Sequence, residues 1–190
     1  MALLHQATLT PSKLELLAEW LPEQDWFRGE GELERVAYFR FDDPEGEVGV
    51  ETLLIRAGAG PVLQVPLTYR GSPLEDRDDA LIGTMQHSAL GPRWVYDGPR
   101  DPVYLQTLAV LTGGTQVELW IDEGQGLVQR EPDATVTGTG STGTVVPATD
   151  DLDIDLVRTP EPGRHADAPA LIGRWEGADG MLLATVAPRA

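Results

Sequence analysis

Leu14, Leu17 and Leu21 recur at helical spacing, and Leu16 and Trp20 widen that stripe into an apolar face. Ahead of it, Thr10 and Pro11 supply an N-cap residue and a proline for the first helical position, and Pro22 stops the run. One amphipathic helix is therefore predicted over 11–21. From there the apolar spacing tightens to that of strands. Three runs, over 33–41, 48–55 and 62–69, are strand-like, the first rich in Val36, Tyr38, Phe39 and Phe41. Turn residues separate them: Asp42-Asp43-Pro44-Glu45-Gly46 after the first and Gly58-Ala59-Gly60-Pro61 after the second. The product is a helix covering one face of a three-stranded meander.

The 71–80 stretch reads as an acidic loop, and 87–98 is dense in aromatic and turn residues. In the 93–102 segment, Trp94 and Tyr96 fall on one side of an extended chain and Val95 on the other. That alternation suits a latch between two halves of the molecule, with Arg93 and Asp97 making polar contacts and Trp94 buried. Asp101-Pro102 repeats the cap-and-proline signal and opens a second helix through Val103, Leu105, Leu108 and Leu111, ended by Gly113-Gly114. Beyond it the texture changes to short runs at 115–121, 127–129, 134–137, 143–147, 152–157, 171–175 and 181–186, with Gly or Pro between most of them. Such punctuation predicts an antiparallel sheet or small barrel. The fold class is thus α+β, with a boundary near Gly113 dividing a 1–113 domain from a β-rich 114–190 domain.

Charge narrows the partners. Among 190 residues there are 31 acids and 14 bases, a net charge of −17. A surface this negative repels phosphate backbones and anionic lipid, so nucleic acid and membrane are poor partners. With no cysteine, disulfides and thiolate chemistry are excluded. The N-terminal residues lack the charged and apolar pattern of a signal peptide, and no apolar run reaches membrane-spanning length, so the cytoplasm is the expected compartment.

Candidate chemistry is sparse. Gly138-Thr139-Gly140-Ser141-Thr142-Gly143 matches a dinucleotide fingerprint, but a strand-like Thr144-Val145-Val146-Pro147 follows where a helix N-terminus must hold the pyrophosphate. Lys13 is the sole lysine and there is no asparagine, which removes the phosphate-binding lysine and the metal-binding asparagine of kinase-type sites. His165-Ala166-Asp167 imitates the start of a catalytic loop, yet Ile172 stands where the asparagine would be. Asp151, Asp153 and Asp155 share one face of a strand at about 6.5–7 Å spacing, which reads as a solvated face rather than a cation site. His5, His87 and His165 show no metal-ligand spacing. No metal and no cofactor is expected.

Trp20-Leu21-Pro22-Glu23-Gln24-Asp25-Trp26-Phe27 resembles the W-L-P-x-Q-x-W-F signature that opens the N-terminal cap of maltokinase-type sugar kinases. Leu81-Ile82-Gly83, Arg93-Trp94-Val95-Tyr96-Asp97 and Asp101-Pro102 resemble the end of the same cap, and Val65-Pro66-Leu67 its last meander strand. The resemblance covers roughly 10–112 of this sequence. It implies an α+β cap with a cystatin- or monellin-like core and a link to glycogen, maltose and trehalose metabolism. It supplies no catalytic residue, because the cap is not those kinases' catalytic site. Asp25 departs from the family's basic residue, and Gly29-Glu30-Gly31 replaces a lysine-containing stretch. Where the kinases continue into an intermediate β region and a helical catalytic lobe, this sequence has the β-rich 114–190 segment.

Three readings stand side by side: a non-catalytic accessory or interaction protein of the cap type, a small-ligand or glucan-binding protein using Trp26, Trp94, Trp120 and Trp175 as stacking platforms, and an enzyme working through carboxylates. The first is preferred. Its partner is another protein or a sugar or glucan, and Trp94, Tyr96, Asp97 and Trp26 are the expected binding residues. Oligomeric state has no signal in the sequence.

Overall fold

Two short strands, β1 (Ala2–His5) and β2 (Leu9–Thr10), precede the first helix, α1 (Lys13–Trp20). The computed structural model describes residues 2–5, 7–43, 45–111, 119–122, 127–130, 132–140 and 151–189. Ser12, not Thr10, caps α1. Its hydroxyl accepts the Glu15 N–H at 3.3 Å and the Glu15 carboxylate accepts the Ser12 N–H at 2.7 Å. This reciprocal capping box satisfies two orphan donors at once, whereas Thr10 is already paired with Gln86 in the sheet. Pro22 does not end the helical path either. It sits in the first turn of a 3-10 segment, Leu21–Glu23, where its missing N–H costs nothing.

The predicted meander is present as β3 (Leu33–Phe41), β4 (Gly49–Ala57) and β5 (Val62–Arg70), all antiparallel. Two further strands, β6 (Leu81–His87) and β7 (Gly91–Asp97), enlarge it to a six-stranded sheet of order β2-β6-β7-β5-β4-β3. Side chains alternate across it, with bulges at Arg35/Ala37 and Leu81/Gly83. Leu53, Ile55, Leu63, Val65, Leu67 and Val95 face α1, where Leu16, Leu17 and Leu21 complete a buried cluster. Ala37, Phe39, Phe41, Val50 and Leu54 line the opposite face.

That second face is covered by elements that come later in the chain. The second helix, α2 (Pro102–Leu111), contributes Tyr104 and Leu108. After β8 (Leu119–Asp122) and β9 (Leu127–Arg130) come β10 (Ala134–Gly138), β11 (Leu152–Leu156), β12 (Ala170–Trp175) and β13 (Ala178–Pro188). The last four form an antiparallel sheet of order β10-β12-β13-β11. Its Val136, Leu152, Leu171, Trp175, Leu183 and Val186 join Phe39, Phe41 and Leu54 in one core. Each large side chain buried there contributes about 1.5–3 kcal/mol.

One pairing departs from the antiparallel expectation. β8 lies between β9 and β1 and runs parallel to β1, with Leu3 opposite Trp120. Parallel pairing needs a long crossover, which the intervening chain supplies. The 143–147 run, Gly113-Gly114 and the end of the glycine-rich fingerprint lie outside the described residues.

Candidate functional site

The polar groups that matter most sit where the two large sheets meet. Trp26 follows the 3-10 segment, its ring edge-on to Trp20 at 6.0 Å. Asp97 closes β7 at the start of the Gly98–Arg100 turn. Between them lies Arg158, just past β11. Its Nη2 donates to both Asp97 carboxylate oxygens, at 2.8 and 2.7 Å, and its guanidinium lies 4.4 Å from the Trp26 ring centroid. Burial pushes the Asp97 carboxyl up, and Arg158 pulls it back only in part, so it stays above its ordinary 3.8.

Gln64 of β5 fastens the backbone beside this pair. Its N–H donates to the Arg158 carbonyl at 2.8 Å. Its fully buried side chain donates to the carbonyls of Val157 and Leu183, both at 2.9 Å. Tyr104 faces Thr52 nearby, in the field of Arg158 and Asp97, and burial pushes its phenol well up. Gln64 Oε1, Thr52 Oγ1, Tyr104 OH and Arg158 Nη1 are buried without a hydrogen-bond partner among the described residues. A recess of about 100 Å³ opens between Trp26, Arg28, Ala57, Leu63 and Thr159. Ligand pockets usually measure about 300–1,000 Å³, so this recess is small for one.

Two other carboxylates are committed to the fold. Asp101, fully buried, accepts Arg70 through Nε and Nη2, the Thr68 hydroxyl, all at 2.7 Å, and the Val103 N–H at 2.9 Å. It caps α2 as predicted and also ties that helix to β5. Glu51, buried on the α1 side, accepts Lys13 at 2.6 Å and Tyr69 at 2.7 Å through one oxygen. Burial would raise both carboxyls. For Glu51 the charges of Lys13 and Arg40 outweigh it, and for Asp101 hydrogen bonds from Arg70 and Thr68 do, so both lie below their ordinary values of 4.5 and 3.8.

These directions set an acid response. Groups with lowered values stabilise the fold above their unfolded values and lose that contribution as pH falls, so Glu51 and Asp101 weaken the fold below about pH 4.5 and 3.8. Asp97, raised, acts oppositely: its ionisation weakens the fold as pH rises through its folded value. Urea unfolding between pH 7 and pH 3 should show a drop in stability that shrinks in Glu51→Gln and in Asp101→Asn. In Asp97→Asn the drop should steepen. An acid limb identical in all three variants and the parent would contradict this assignment.

The four expected binding residues do not form one site. Trp26 and Asp97 meet through Arg158. Tyr96 is buried, and its hydroxyl accepts the Leu74 N–H at 2.8 Å. Trp94 is only half-buried and belongs to neither large core cluster, so the expectation that it is buried is corrected. It sits on β7 opposite Arg70 and Thr84. Val95 does point the other way, into the helix-side core. Trp175 is buried in the shared core. Asp153 and Asp155 are exposed on β11, where Arg164 pairs with Asp155 at 3.3 Å. His87 Nδ1 accepts the Ala89 and Leu90 N–H groups in a hairpin turn. Among the described residues, no group of three His, Asp or Glu side chains is arranged to hold a metal. Arg158 and Gln64 carry this junction, and sequence reasoning singled out neither.

Helix, six-stranded sheet and junction together define an α+β domain whose buried charges stitch it to a second antiparallel sheet. Residues 20–101, from the last residue of α1 to the cap of α2, match the family model of the maltokinase N-terminal cap domain. Over that segment the chain is similar to maltokinase N-terminal cap domains. No curated protein matches the chain.

Proposed function

We propose that this chain is a non-catalytic accessory or interaction protein of the cap type, serving glycogen, maltose or trehalose metabolism in the cytoplasm. The match of residues 20–101 to a cap domain carries this reading. The cap and the β-rich part divide near residue 113, and the cap has a cystatin- or monellin-like core. Supporting it, Lys13, the sole lysine, is committed to Glu51, and Asp97 and Asp101 are engaged by Arg158 and Arg70, which leaves no cation for a nucleotide phosphate among these groups. A coupled assay with ATP and maltose or glucosamine should give no turnover. Turnover that a point substitution in this chain abolishes would overturn the proposal.

Trp94 favours a second reading, glucan binding, because it is only partly buried and a tryptophan face can stack on a sugar. In that case Trp94→Ala should abolish retention on amylose while costing only about 1 kcal/mol of stability. If retention is absent or unchanged by the substitution, this reading falls and the protein-partner reading stands.

A further inference from the structure

We propose that Trp26, Asp97 and Gln64 form a recognition site for an arginine carried on an extended segment, filled in this chain by its own Arg158. The inference rests on the junction geometry and stands apart from the reading above. All three receptor residues lie within the matched segment 20–101, and the occupant lies outside it.

The site reads three features of its occupant. A flat cation is selected by the Trp26 face at 4.4 Å, which suits a delocalised guanidinium better than a strongly hydrated ammonium. Charge is read by Asp97, both of whose oxygens accept Arg158 Nη2. Backbone is read by Gln64, which donates its N–H to the Arg158 carbonyl and its side-chain amide to the Val157 carbonyl. β5 can do this because β7 pairs only with Leu67–Arg70, which leaves the edge at Gln64 open to an added strand segment. The ligand class is thus an arginine in extended conformation. A partner carrying such an arginine would compete with the chain's own C-terminal half.

Full-length Arg158→Ala empties the cation position and tests this directly. Ethylguanidinium at tenfold excess over its Kd should raise the melting temperature of the variant by about 3–6 °C. It should leave the parent unchanged and shift the Trp26 indole resonance of the variant. Ethylammonium should do neither, and adding Trp26→Leu to the variant should remove the effect. Should Arg158→Ala not fold, Arg158→Gln serves for the same titration. Equal rescue by ethylammonium, no rescue by either, or an Arg158→Lys chain as stable as the parent would each overturn the proposal.

Discussion

Asp101→Ala is expected to destabilise the fold by about 3–5 kcal/mol, well above the roughly 0.5–2 kcal/mol that losing a helix cap costs. The difference comes from what the alanine strands. Arg70, whose side chain is largely buried, loses both bonds to its carboxylate, and the buried Thr68 hydroxyl loses its acceptor. The Val103 N–H at the start of α2 loses its cap as well. Chemical denaturation of Asp101→Ala, Arg70→Ala and the double variant measures this. The double variant should recover part of the loss, because no unpaired charge then remains. A single-variant cost near 1 kcal/mol would reduce Asp101 to an ordinary cap.

Leu183→Ala should cost about 2–5 kcal/mol, and the loss should be felt in both sheets. Leu183 is fully buried in the core it shares with Phe39, Phe41 and Leu54, its branched end pressed towards Gly173. Its carbonyl accepts Gln64 from the other sheet. Hydrogen exchange should therefore show amides of β4 and β5 losing protection alongside those of β12 and β13. Faster exchange confined to β10–β13 would mean that the two sheets unfold separately despite their common core.

The first half of the fold was legible because local rules govern it. The β3, β4 and β5 runs combine strand-forming residues with turn punctuation, and Asp101-Pro102 is a helix start that needs no distant help. β6 and β7 were not read as strands because Gly83, Pro92 and Arg93 break their alternation, and pairing with β5 and with each other is what defines them. The strands also hide their partners: that β1 seeks β8 leaves no mark on either segment. At the junction, Trp26 and Asp97 were visible as unusual residues in a signature. Arg158 was not, standing 61 residues from its carboxylate with nothing periodic around it. Likewise a half-buried Trp94 and a buried Trp175 look the same in one dimension.

The shared core has a consequence for synthesis on the ribosome. Gln64 must wait 93 residues for the Val157 carbonyl and 119 for that of Leu183. At about 5–20 residues per second that wait is on the order of 10 s. Meanwhile the helix-side cluster, assembled from residues up to Val95, can close, while Phe39, Phe41, Val50 and Leu54 still lack the strands that cover them. The nascent chain thus passes through a stage with one finished face and one wet aromatic face. A holding chaperone would find its client there, and a slowly translated stretch between β7 and β13 would prolong the risk of aggregation.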